Sequence, residues 1–196
     1  MKERIKAIQN KLSVTADGII GPVTLSAIED ALGIQPNVEV ASMPTQAQVR
    51  SGKSVFGAPG VESNLVNITP AYQLYYEGTP VKTIRVHKCI ADRVARVFQR
   101  VLESYGAEKI RALGLDQYSG SYNYRSTSSG SSLSMHAWGI ALDFDADHNT
   151  YSMHRPDARL SGAEYETWWT IWEEEGGVSL GRERDYDWMH VQFATL

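Results

Sequence analysis

The chain of 196 residues contains one cysteine, Cys89. No internal disulfide can staple it, and no multi-cysteine zinc or iron–sulfur cage can organise it. The fold must therefore rest on a packed apolar core. With 42% hydrophobic residues against 21% charged ones, the chain has the balance of a globular domain, too apolar and too evenly charged for disorder. A transition metal would have to be held by carboxylates and by the five histidines, His87, His136, His148, His154 and His190. Nineteen Lys and Arg against twenty-three Asp and Glu give a net charge of −4. That balance argues against nucleic acid held on a broad basic face and against a polybasic membrane anchor. The apolar runs fall far short of the ~20 residues of a membrane helix. Met1-Lys2-Glu3-Arg4-Ile5-Lys6 has no apolar stretch behind it and does not read as a secretory signal.

Patterning divides the chain into a small all-α unit over residues 1–35, a linker over 36–45 and a larger α+β domain over 46–196. In the first, Ile5, Ile8 and Leu12 form one apolar stripe at helical spacing. Asp17-Gly18 makes a turn, and Pro22 opens a second helix carrying Val23, Ala27, Ile28, Ala31 and Leu32 before Gly33. A unit this short has little core of its own and is expected to lean on the rest of the protein. In the larger domain, short strands are expected near 64–68 and 81–87. Ile90, Val94, Val97, Phe98, Val101 and Tyr105 then predict an amphipathic helix ending before Gly106. Residues 117–134, rich in Ser, Gly and Tyr, read as a loop or the wall of a cleft. A helix at about 162–175 and a strand near 189–193 complete the domain. Strands interspersed with helices suggest small antiparallel sheets with flanking helices rather than a doubly wound sheet.

Two segments carry chemistry. The first is Ser134-Met135-His136-Ala137-Trp138-Gly139-Ile140-Ala141-Leu142-Asp143, and the second is Asp187-Trp188-Met189-His190. His136, His190 and Asp143 together are a sound ligand set for Zn2+: two borderline-soft nitrogens, one anionic oxygen and a fourth position left open. Ile140, Ala141, Leu142 and Phe144 predict a buried strand, which would carry Asp143 inside, where a carboxylate needs a partner or a metal. Asp187, three residues before His190, is placed to take a proton from an attacking water.

These residues resemble the zinc D,D-peptidases and L-alanyl-D-glutamate endopeptidases of peptidoglycan, the group that includes the vancomycin-resistance carboxypeptidases and many phage endolysins. Ser134, His136, Gly139, Ala141 and Asp143 match the family pattern Ser-x-His-x-x-Gly-x-Ala-x-Asp, and Asp187 and His190 match its acid-x-x-His. Tyr122-Asn123-Tyr124-Arg125 resembles the family's arginine-bearing segment. The resemblance implies that Arg125 binds the substrate and stabilises developing negative charge, and that Ser134 supports the metal ligands or the substrate. An aspartate base, where the dipeptidase branch has glutamate, favours the endopeptidase branch. Ile8-Gln9 followed by Asp17-Gly18-Ile19-Ile20-Gly21-Pro22-Val23-Thr24 is similar to the core of a small helical peptidoglycan-binding domain, shortened before Asp17.

Other features have simpler readings. His87, His148 and His154 lie outside the motifs and read as structural. Asp143, Asp145, Asp147 and Asn149 alternate as in a calcium loop, but His148 stands where that loop needs glycine. Tyr165, Trp168, Trp169 and Trp172 read as packing, Glu173-Glu174-Glu175 as a solvated helix end, and Cys89 as a small buried hydrophobe. The combined expectation is a monomeric, phage-type endolysin. It would be made in a host cytoplasm, released to the wall by a separate pore, and cleave the L-Ala–D-Glu bond of the peptidoglycan stem with Zn2+. A D-Ala–D-Ala carboxypeptidase on the same site and a non-catalytic wall-binding or tail module are the alternatives.

Overall fold

A computed structural model of the chain describes residues 1–32, 43–127, 130 and 132–196. Two compact units emerge, Met1–Ser42 and Met43–Leu196. The linker expected over 36–45 lies, as far as residue 42, outside the described residues, as does the helix stop at Gly33. Pro44 and Thr45 are paired with the end of the chain: Gln46 N–H donates to Thr195 O (2.8 Å) and Thr195 N–H to Pro44 O (3.0 Å).

The first unit holds α1 (Lys2–Lys11) and α2 (Pro22–Ala31), with Pro22 at the first helical position, where its missing N–H costs nothing. Its centre is an amide rather than the expected apolar stripe. Gln9 is buried while Ile8 is exposed. Gln9 Nε2 lies 2.7 Å from Asp17 Oδ1, 2.8 Å from Ile19 O and 2.9 Å from Thr24 Oγ1, and Gln9 Oε1 accepts from Gly18 N–H at 2.8 Å. One side chain thus ties helix, turn and second helix, because a buried amide is stable only when its donors and acceptor are engaged.

The second unit begins with α3 (Gln46–Arg50), whose Thr45 and Gln48 form a reciprocal capping box. Strands β1 (Leu65–Ile68), β2 (Leu74–Tyr76), β3 (Thr79–Val81) and β4 (Ile84–His87) follow, β1 pairing with β4 and β2 with β3, both antiparallel. The single strand expected over 81–87 is therefore split. Glu77 and Gly78 both have positive φ and close a two-residue hairpin, which takes Pro80 into a short strand whose one neighbour is β2. Helix α4 (Ala91–Leu113) bends at Gly106, where φ is 70° and ψ 159°, and then resumes past the expected end. After it come β5 (Tyr118–Gly120), β6 (Ala141–Phe144), α5 (Glu166–Glu174), β7 (Val178–Ser179), α6 (Leu180–Arg184) and β8 (His190–Gln192). Four of these strands form an antiparallel sheet in the order β5-β6-β8-β7. The architecture is α+β, with small antiparallel sheets flanked by helices. No helix among the described residues is long and apolar enough to cross a membrane.

The core of this unit lies between that sheet and helices α4 and α5. Phe144 of β6 packs against Phe98 of α4 and against Trp168 and Trp172 of α5, ring centroids 5.1–6.3 Å apart. Each such ring pair adds about 0.5–1.5 kcal/mol beyond the area it buries. Two expectations are corrected here. Glu175 is buried, not solvated: Arg96 (2.9 Å) and Arg100 (3.3 Å) of α4 reach its carboxylate, because α5 ends against α4 rather than in water. Cys89 is exposed, because the turn from β4 into α4 aims the next side chain, Ile90, inward instead.

Candidate metal centre and its cleft

Period-two alternation along β6 sets up the centre. Leu142 and Phe144 point to one face, Ala141 and Asp143 to the other. The ladder with β8 pairs Asp143 directly with His190 and Ala141 with Gln192, so these four share a face. His136 arrives on a short 3-10 turn, Met135–Trp138. Ser134 caps that turn, its Oγ accepting from His136 N–H at 3.4 Å. Gly139 ends it in the left-handed conformation at φ 70°. A Cβ there would sit 2.6 Å from Leu65 Cδ2 and 3.2 Å from His87 N, so the position needs glycine for both backbone and space. Most of the spaced motif is therefore local architecture that brings two side chains to one point.

His136, Asp143 and His190 are buried, and their ligand atoms lie within 4.8 Å of one another. His136 Nε2 is 3.1 Å from Asp143 Oδ2, His190 Nδ1 is 3.0 Å from Asp143 Oδ1, and the two ring nitrogens are 3.2 Å apart. The remaining ring nitrogens settle the tautomers. His136 Nδ1 faces Ser121 O at 2.5 Å, and a carbonyl only accepts, so Nδ1 carries the proton. His190 Nε2 faces Gln192 Oε1 at 3.1 Å. That amide is oriented by its own Nε2–H donating to Ala194 O at 2.6 Å, and its Oε1 also accepts from Gln46 Nε2 at 3.2 Å. His190 therefore donates through Nε2. Two bare nitrogen lone pairs and a carboxylate are left facing one another with no donor between them, an arrangement that repels itself unless a cation or an added proton joins it.

The electrostatics of the cluster point the same way, towards a bound positive charge. Burial pushes the Asp143 carboxyl up, but where an added proton supplies the missing donor, bonds and charge from His136 and His190 outweigh it and hold the group well below the usual carboxylate range. Burial lowers His190, yet the Asp143 carboxylate raises it above its ordinary value. Tetrahedral zinc, with donors at about 2.0–2.1 Å, would separate ligand atoms by about 3.3 Å, close to the spacings here. Each histidine's second nitrogen is held by an oxygen, the usual support of a metal-bound imidazole. The residues fit zinc.

Beside them lies a cleft of about 290 Å³. Asp187 lines it from the loop before β8, with a left-handed backbone at φ 52° and its N–H bonded to Tyr151 O at 3.0 Å. Its Oδ1 is buried with no hydrogen-bond partner among the described residues. Burial, then the nearby Asp143 charge, raise the Asp187 carboxyl, against lowering by His190, His136 and Arg125. Arg125 and Ser134 line the same cleft. Arg125 is held beside the His136 turn by two backbone bonds, Ser134 N–H to Arg125 O (3.1 Å) and Asn123 N–H to His136 O (3.1 Å).

The other histidines lie elsewhere. His148 Nδ1 meets Asp145 Oδ1 at 2.7 Å, His154 bonds Asp185 O, and His87 Nε2 donates to Phe56 O at 3.2 Å. Asp145 is engaged by His148, Arg159 and Asn149. Sequence reading missed Gln192, Gln46 and Arg50, all of which line the cleft. Gln192 had a signal, since it stands two residues after His190 on a strand and must share its face; Gln46 and Arg50 had none, being contributed by a distant helix. Comparison of the chain with protein-family models, with curated proteins and with solved structures returned no match.

Proposed function

We propose that the protein is a zinc-dependent peptidase that cleaves the L-Ala–D-Glu bond of the peptidoglycan stem, acting as a phage-type endolysin. The observation that carries the metal-dependent reading is the donor-free cluster of His136 Nε2, His190 Nδ1 and the Asp143 carboxylate. Zinc held there would supply a Lewis acid for a carbonyl and acidify a water at neutral pH. Asp187 is the general base in this reading. Its orphaned buried oxygen accepts the proton of the attacking water and returns it to the leaving amine. Raising a carboxyl towards neutrality makes that return easier, since the acid form is then within reach. Arg125, with a guanidinium whose charge acts at Asp187, faces the scissile carbonyl and stabilises the negative charge that develops on its oxygen. Ser134 holds the turn that aims His136.

The choice of peptidoglycan, and of this bond within it, rests on the motif resemblance in Ser134–Asp143 and Asp187–His190. Residues 1–35 would hold the enzyme on its insoluble substrate and raise the local concentration of cleavable bonds. Mass spectrometry of muropeptides after digestion of purified wall, with and without a chelator, tests the reading. New N-terminal D-Glu that disappears with chelator is expected. Release of free D-Ala alone would identify a carboxypeptidase instead, and an unchanged wall would leave a binding module.

A further inference from the structure

Arg50 ends α3, a helix anchored by its capping box and by the buried Val49. Its Nε donates to Leu133 O at 3.1 Å. Leu133 bridges Ser126, the neighbour of Arg125, across the cleft-wall loop. Arg125 Nη1 donates to Ser126 O at 3.4 Å, so the two guanidinium groups are held at the two sides of the Ser126–Leu133 bridge, and both line the cleft that holds Asp187 and His190. Neither has a carboxylate within ion-pair distance among the described residues, and both guanidinium groups are left to face the cleft. Arg50 is exposed at the mouth of the cleft, and with Nε engaged by Leu133 O its two Nη groups remain open to a ligand. A cation held at a cleft wall without a counter-ion is a place for an anion that arrives with the substrate.

One cation, Arg125, is already assigned to the carbonyl of the bond being cut. In the stem peptide the chain continues from D-Glu through its side-chain carboxyl, so the α-carboxylate beside the scissile bond hangs free. We propose that Arg50 forms a second anion subsite of the cleft and binds this free α-carboxylate, so that the enzyme selects stems bearing D-Glu over stems in which that group is a carboxamide. The inference rests on the peptidase reading above and adds to it a specificity-determining residue.

Two synthetic stem peptides that differ only in that group, carboxylate or carboxamide, test it with the full-length zinc-loaded protein. The wild type is expected to favour the carboxylate by about tenfold in kcat/KM, mostly through KM, as suits a charged bidentate contact. Arg50→Gln should bring that preference close to one by raising KM for the carboxylate peptide several-fold more than for the carboxamide peptide, and Arg50→Lys should keep part of it. Equal losses on both peptides, with kcat falling, would mean that Arg50 only ties α3 to Leu133, and the subsite would be rejected. If Arg50→Gln loses its zinc or its fold, the wild-type ratio decides: a ratio near one overturns the subsite. Failure of the broader reading looks different, because the wild type then cuts neither peptide between L-Ala and D-Glu.

Discussion

Asp187 shows how much can depend on one side chain in an uncommon backbone state. Its φ of 52° favours Asn, Asp or Gly, so alanine would add backbone strain to the loss of the carboxylate. Asp187→Asn is the cleaner variant. It should lower kcat by about 10²–10⁴ with a full equivalent of zinc retained, measured by turnover and by metal analysis. Asp187→Ala should lose lysis as completely, at some further cost in stability. Gln192 acts at the same scale through His190. Gln192→Leu removes the acceptor that fixes the tautomer and should weaken zinc by about 10–100-fold in chelator competition. Retention of wild-type affinity would show that the ladder alone orients His190. His87 is a different case, since Nε2 donates to Phe56 O while Nδ1 accepts from Cys89 N–H, so both nitrogens are satisfied only in the neutral ring. Burial lowers it below its ordinary value near 6.5. The unfolded chain then binds the proton more readily, so stability is full above pH 6.5 and declines as pH falls through the folded value. In denaturant titrations across this window, His87→Gln should show a shallower loss than the wild type.

At the scale of elements, the 3-10 turn and strand β6 form one device. Gly139 turns the chain out of the His136 turn and bonds back to β4, its carbonyl accepting from His87 N–H at 2.8 Å. Gly139→Ala meets both a positive φ and Leu65, and should cost at least about 1–3 kcal/mol, read as a lower denaturant midpoint. Zinc affinity should fall with it, because the turn that carries His136 moves. Gly181 has a comparable role in α6, where a Cβ would meet the Trp188 ring at 2.3 Å, and Trp188 follows Asp187. The elements that sequence periodicity missed are the short ones. Strands β5 and β7 have three and two residues and no apolar alternation to announce them. They exist because neighbouring strands offer them hydrogen-bond partners.

For the molecule as a whole, the chain divides into two compact units, and the proposed function assigns anchoring to one and cleavage to the other. The larger unit, Met43–Leu196, contains the entire metal cluster and the cleft. Expressed alone, it should unfold in one cooperative transition, bind one zinc and cleave a soluble muropeptide, while losing rate on intact wall. Equal rates on intact wall would remove the anchoring role from the first unit. Within that unit, the buried Gln9 amide takes the place of an apolar centre, as suits a segment too short to bury many large side chains.

The amino-acid sequence alone determined the ligand types, the motif spacings and the helical and strand periods that placed His136, Asp143 and His190 on distinct elements. These are local properties, set by the 3.6- and 2-residue repeats and by the turn chemistry of Ser134 and Gly139. Tertiary structure decided everything that needed two distant segments at once. The β6–β8 register set Asp143 against His190, the Gln46–Gln192 contact set a tautomer, and α3 brought Arg50 to the cleft wall. The physical reason is range. Backbone preference acts over a few residues, whereas the field at a buried carboxylate or an unpaired guanidinium depends on whichever side chains packing brings within a few ångströms. The single cysteine kept disulfides and thiolate cages out of the account from the start, and packing and strand register did the rest.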